Sequence, residues 1–408
     1  MKNTNILISG AGIAGPTLAY WLRRQGCRVT VVERSGFLRD SGGAVDFRGE
    51  QVKLLKAMGI LGAVKAHETA MGAEVVVDAE GRELVAFPAA LFSGEVEIER
   101  GDLARILYDL TSSDVEYVFG DWIVGLDQGE EIGGVEVTFA GGGVQRYDLV
   151  VGADGLHSGV RRLVFGEEAD FRRDLGWVIA GCAAPNDLGL DHEGRIYNVP
   201  GRGVMVSSAR DREQAGVGFV FHAPGLKYDR DDVAQQKALV AETFADAGWQ
   251  TPILIERLAQ AQDLYFDTLS QIHMERWASG RVVLLGDAAW CAGPGGSGTG
   301  MAMMGAHVLA GELAAADGDY RKAFAEYEKA LRPAVKIGQK QGKGAGGFLA
   351  PIDDKKIKSR NKAYKMLSRR YAAGIFNWLT ARAANAVEYR EYPIAGAETA
   401  ETVGAGQR

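Results

Sequence analysis

A short apolar run that breaks straight into glycines constrains this chain more than anything else in it. Ile6, Leu7, Ile8 and Ser9 read as a buried parallel strand, and Gly10-Ala11-Gly12-Ile13-Ala14-Gly15 follows with no spacer. Leu18, Ala19 and Leu22 then fall on one helical face until Gly26 stops the helix, and residues 29–32 form a second strand ending on Glu33. A Gly-x-Gly-x-x-Gly set between strand and helix, with an acid at the end of the next strand, predicts an α/β fold whose parallel sheet binds a dinucleotide.

Each part has a physical task. Gly10 can take the tight turn, Gly12 lets backbone amides reach a pyrophosphate, and Gly15 lets the helix pack close to the strand. Ile13 and Ala14 open the helix, whose unsatisfied N–H groups and positive end point at the phosphates. Glu33 can accept both hydroxyls of an adenosine ribose and would repel a 2′-phosphate, which argues against NADP at this position; Arg34 follows it. Residues 293–298 and 342–347 match the same glycine spacing, but neither follows a strand directly and neither has an acid downstream.

At 408 residues, 47% of them hydrophobic, the chain can bury a large core and divide into two or three domains. A net charge of −7 gives no electrostatic reason to expect nucleic acid. Cys27, Cys182 and Cys291 are odd in number and widely spaced, so neither disulfides nor zinc are expected and a reducing cytoplasm follows. The six histidines lack metal-ligand spacing, and no metal is predicted. Residues 6–22 have the apolar body of a signal peptide, yet their glycines, Pro16 and the run on to Glu33 fit nucleotide binding better; no stretch of about twenty apolar residues predicts a membrane span.

Two further strands end like the first. Residues 147–151 run into Gly152-Ala153-Asp154-Gly155, where Asp154 could meet a ligand hydroxyl or form a plain Asx turn. Residues 281–285 run into Gly286-Asp287, followed by Pro294, Gly295, Gly298 and Gly300 and an apolar helix over 301–313 that aims its positive end across the loop. Between these lie Gly42 to Gly49, where Asp46 and Arg48 face a pocket or simply pair with each other, a hairpin over 73–87, and Arg100 at a helix start, where the dipole disfavours it. The stretch 175–269 predicts antiparallel strands with one helix over 233–247, and Tyr197, Met205, Phe219 and Phe221 are candidates for its inner, substrate-facing side or for its core.

Gly10, Gly12 and Gly15 with Glu33, then Asp154-Gly155, then Gly286-Asp287 with Pro294, in this order, resemble the three FAD signatures of the single-component FAD-dependent aromatic hydroxylases, the para-hydroxybenzoate hydroxylase family. With residues 42–49 and 99–103 as they stand, the chain is most similar to the tetracycline-modifying and polyketide monooxygenase branch, from Asn5 to about Leu331. Trp290 stands where that family commonly has histidine, and Met301 where it has asparagine. No Trp-x-Trp pair points to the halogenase relatives.

The resemblance implies a Rossmann-like, three-layer FAD-binding domain of the glutathione-reductase type with a β-sheet substrate domain and a long C-terminal helix. It divides the chain into 1–72, 100–170 and 273–345 for FAD, 73–99 and 171–272 for the sheet, and 346–392 for the helix, with a disordered tail over 393–408. FAD would lie against Gly10, Gly12, Ile13, Ala14, Gly15, Glu33, Arg34, Arg100, Asp154, Gly286, Asp287, Pro294, Gly298 and Gly300. The substrate would meet Asp46, Arg48, Tyr197, Met205, Phe219, Phe221, Pro294 and Gly295. NAD(P)H would be a transient co-substrate and O2 the oxidant, with a small aromatic or polyketide-like molecule hydroxylated through a C4a-hydroperoxyflavin by a cytoplasmic monomer or homodimer. A reductase of a hydrophobic substrate, and a non-catalytic flavin-containing binding protein, are the alternatives.

Overall fold

The computed structural model describes residues 2–39, 42–87, 94–129, 133–295, 297–367 and 384–393. Its centre is a six-stranded sheet in the order Ala278–Ser279, Val282–Leu284, Leu149–Gly152, Asn5–Ser9, Arg28–Glu33, Glu116–Phe119, parallel except for the short first strand. Its strands read as unbroken apolar runs because both faces are covered, and Ile6, Leu7 and Ile8 are fully buried. The helices Ala14–Arg24 and Gly298–Ala315 pack on each other, and the second is buried on almost every side.

A seven-stranded sheet stands beside it in the order Tyr265–Ile272, Arg172–Pro185, Gln214–His222, Arg202–Ser208, Glu193–Val199, Glu74–Val77, Glu83–Phe87, antiparallel except where Glu193–Val199 meets Glu74–Val77. Two helices cover one face, Val233–Thr243 and Thr251–Gln260. Sequence reasoning predicts only the first; the second opens with Pro252 in its first turn, where the missing N–H costs nothing. Ala44–Phe47 pairs with Val96–Glu99 in a separate two-stranded ribbon packed on the nucleotide side.

The predicted long C-terminal helix is divided. The glycine-rich residues 342–347 end the helix Tyr320–Gly342 and begin the helix Ala345–Leu349; Pro351 then separates that from Asp354–Leu367. Arg360 docks the last helix: its guanidinium lies over Phe87 and Phe348 and donates to the Phe348 carbonyl (2.6 Å) and Asn198 Oδ1 (2.7 Å). Arg369, Tyr371, Ile375 and Trp378, expected on the same helix, and the tail beyond Pro393 lie outside the described residues. Among those described, no helix is long and apolar enough to cross a membrane.

Candidate cofactor site

The sheet order brings three turns together. The strands ending at Ser9, Gly152 and Leu284 are neighbours and parallel, so Gly10, Ala153 and Gly286 leave the sheet along one carboxyl edge, where α/β sheets bind their ligands. Backbone bonds tie them: Gly10 N donates to the Val32 carbonyl (2.7 Å), Ala153 N to Ser9 (2.8 Å) and Leu285 N to Gly152 (2.8 Å). Gly10 has φ +109°, and a side chain there would overlap the Ala153 carbonyl; one at Gly15 would overlap the Gly10 carbonyl. Gly12 differs, since its nearest neighbour is the Arg100 guanidinium, 3.4 Å from where a side chain would begin. Two glycines are therefore demanded by packing, and the third opens a space.

The expected polar residues ring that space. Glu33 is buried, accepting from Ala11 N (2.9 Å) and Ser35 N (2.9 Å), which fixes the carboxylate against the glycine turn. Arg100 opens the helix Arg100–Thr111; burial and Arg39 lower its pKa, while Asp287, Tyr265 and Glu33 act in the opposite sense. Asp287 is open to that space, yet the protein around it desolvates its carboxyl and raises its pKa against the pull of Arg100 and a hydrogen bond from Cys291. Gly286 packs between Ala14 and Ala302, Pro294 and Gly295 form the next turn, and Gly298 begins the helix that overlies Asp287.

Asp154 has other work: it accepts from Ser158 Oγ (2.5 Å) and Val160 N (3.0 Å), closing the first turn of Gly159–Phe165 as in the Asx-turn alternative. Arg34 points outward, its guanidinium over the Trp122 ring. Asp46 and Arg48 pair at 2.6 Å on the ribbon, with Arg48 buried.

Strand register corrects the substrate candidates. One row across the large sheet reads Phe266, Ala180, Phe219, Val204, Tyr197, and the next reads Tyr265, Gly181, Gly218, Met205, Ile196. Tyr197, Phe219 and Phe221 belong to the first face, under the two helices, where Phe219 and Phe221 meet Phe244 and Tyr197 meets Trp249. They are core, because an apolar helix surface on that side needs them. Met205 is on the other face, folded over Gly218.

Tyr265 faces the nucleotide side too and was not anticipated. It is 52% exposed, yet its hydroxyl's pKa is pushed up by the desolvating walls and by Asp267, Asp287 and Cys291. The alternation Tyr265-Phe266-Asp267 was the signal available for it.

A charged seam joins the two sheets behind the turns. His157 bridges Glu168 Oε2 and Asp267 Oδ2, each at 2.9 Å, while Tyr228 donates to Asp267 and Arg172 donates to Glu168, Thr268 and Ser270. The fully buried Arg161 donates to the Ala288 (3.0 Å) and Leu156 (2.7 Å) carbonyls and pairs with Glu168. Burial opposes the His157 charge, but its bonds to Asp267 and Glu168 outweigh that and raise its pKa; Glu168, also opposed by burial, is held at about 2 by His157, Arg172 and Arg230.

A raised histidine contributes stability that is complete below its unfolded pKa and is lost as pH rises through the folded one. The depressed Glu168 contributes above the unfolded carboxylate range and is lost as pH falls toward about 2. His157→Gln should therefore show a flatter alkaline limb than wild type in urea unfolding followed from neutral to alkaline pH; parallel limbs would rule out a charged His157.

Among the described residues no group of three His, Cys, Asp or Glu could hold a metal ion, and the three cysteines are free. The FAD binding domain family matches residues 3–334. The chain is 40% identical over 342 residues to the uncharacterized Mycobacterium tuberculosis H37Rv protein Rv1260, covering 82% of this chain and 91% of that one. It is 37% identical over 346 residues to a flavin-dependent monooxygenase of Legionella longbeachae, covering 84% and 88%. Among solved structures, the tetracycline destructase Tet(55) superposes with a TM-score of 0.82 at 36% identity, covering 96% of this chain and 100% of that one.

Proposed function

We propose that this chain, which belongs to the FAD binding domain family and stands among its flavin-dependent monooxygenases, uses NAD(P)H and O2 to hydroxylate a flat aromatic or polyketide-like small molecule. The observation that carries this is the convergence of three turns, each ending a parallel strand, on one space ringed by Glu33, Arg100 and Asp287. The residues suit FAD: the turn at Gly12 and the start of the helix Ala14–Arg24 hold the pyrophosphate, Glu33 the adenosine ribose, and Asp287 the ribityl chain. Arg100 would neutralise phosphate charge, and the N-terminal end of the helix Gly298–Ala315 would favour negative charge on the ring.

Bound flavin supplies hydride acceptance and oxygen transfer. The chain's part is to orient the substrate and exclude water. Gly181, beside Tyr265 on the face turned to the nucleotide side, offers a floor for a planar molecule, with Met205 closing over Gly218 next to it. NAD(P)H binds transiently, with no second parallel nucleotide-binding sheet among the described residues.

The test is a panel of polycyclic phenols added to the FAD-loaded protein with NADH or NADPH. Faster nucleotide oxidation, and a product carrying one atom from labelled dioxygen, is the expected result. Bleaching of the flavin with a reduced, unoxygenated product would replace this reading with a reductase.

A further inference from the structure

Residues 384–393 are tied to three helices of the nucleotide half at once. Asn385 Oδ1 accepts from Glu50 N (3.2 Å), Glu50 Oε2 accepts from Tyr389 N (3.0 Å), and Gln25 Nε2 donates to the Pro393 carbonyl (2.9 Å). Tyr392 Oη donates to Glu312 (2.8 Å), and His307 Nε2 lies 2.7 Å from the Arg390 carbonyl. Two glycines make the room, since a side chain at Gly49 would strike Asn385 and one at Gly311 would strike the Tyr392 ring. The segment therefore joins Glu50–Ala57, the end of Ala14–Arg24 and the middle of Gly298–Ala315. The last two are the helices that begin at the cofactor space.

His307 is the centre of this contact. It is 3% exposed, stacked on Tyr389 (ring centroids 5.0 Å), edge-on to Tyr392 (5.3 Å) and 4.4 Å from the Trp21 ring. A carbonyl can only accept, so Nε2 carries the proton and Nδ1 is left as an acceptor. Nδ1 is buried with no hydrogen-bond partner among the described residues, and so is Trp21 Nε1. A proton added at Nδ1 would place a charge among aromatic rings with nothing there to receive its N–H. The charged side chains of the surrounding elements are engaged elsewhere or turned to water: Glu312 with Tyr392, Glu50 with Lys53, Arg24 over Tyr20, and Glu388, Arg390 and Glu391 exposed. Burial accordingly lowers the imidazole's pKa, with the Arg390 carbonyl acting in the opposite sense.

We propose that residues 384–393 are an acid-released strap, docked while His307 is neutral so as to hold the two cofactor helices together, and freed when His307 takes up a proton, which lets FAD leave. The docked strap excludes that proton and the free one accepts it. Release therefore becomes more favourable as pH falls below the ordinary histidine value of about 6.5, the opposite sense to His157, whose charge tightens its seam. The latch stands on its own geometry, and its effect on the cofactor rests on the FAD reading above.

The test is hydrogen exchange of the FAD-loaded protein, read by mass spectrometry over the amides of residues 386–392 and corrected for the intrinsic effect of pH, with FAD release followed by flavin fluorescence. Between about pH 7.5 and about pH 6 the wild-type strap should exchange about fourfold faster, with FAD leaving faster in step. His307→Phe, or His307→Gln should the first fail to fold, should show no such rise, because neither side chain titrates. Wild-type exchange that ignores pH, or the same rise in a variant, overturns the latch. Faster exchange with unchanged FAD release overturns the hold on the cofactor helices. Wild type that binds no FAD sinks the cofactor reading, and exchange in the free protein still decides the latch.

Discussion

Gly15→Ala is expected to yield protein that retains no FAD and melts well below wild type. The added methyl would overlap the Gly10 carbonyl and come within 3.3 Å of Ile8. Neither can retreat, since Gly10 N is bonded to Val32 and its backbone lies against Ala153. Overpacking costs about 1–3 kcal/mol where side chains can shift, and here the obstacle is main chain. Gly12→Ala is the companion: with only the Arg100 guanidinium near, it should keep its melting temperature and lose FAD affinity by about a hundredfold, because the methyl stands where a pyrophosphate must approach. A yellow, fully loaded Gly15→Ala protein would disprove the packing argument.

Arg161→Met carries the second large effect, a loss of about 3–5 kcal/mol, the usual result of removing one partner from a buried charged cluster. The substitution strands the Leu156 and Ala288 carbonyls and leaves Glu168 with less positive charge, so two of the three turns lose their common tie. Against a total stability of about 5–15 kcal/mol this is a large fraction. The urea midpoint should fall accordingly, and Arg161→Lys should recover only part of it, since an ammonium cannot reach both carbonyls with a fixed fork. A midpoint equal to wild type would show that Arg161 ties nothing together.

The sequence carried the nucleotide half clearly because its signals are local. A buried strand, a glycine turn and a helix follow one another within a few residues at Ile8–Leu18, and the same order recurs around Asp154 and Asp287. The large sheet was less legible. Alternation separates Phe219 and Phe221 from Met205 only relative to one another, and which face a helix covers depends on Thr251–Gln260, an element whose Pro252 and short apolar stripe merge with the surrounding strands. His157 and Tyr265 were illegible for a different reason. The groups they face lie far along the chain, at Asp267 and Asp287, and no spacing rule links them. Arg34, by contrast, follows a strong motif and still turns outward onto Trp122.

The interleaving of the central sheet also governs how the chain is made. Ile6 pairs early with Val29 but also with Leu149, and Val150 in turn pairs with Val282, so one side of the earliest strand stays open until the first of two later stretches arrives. Nothing resembling the finished edge can exist on the ribosome until residues near Asp287 have emerged. Such late, long-distance pairing folds slowly and leaves apolar strands uncovered meanwhile. Yield in a heterologous host should accordingly depend on chaperone supply and growth temperature more than on codon choice near the start.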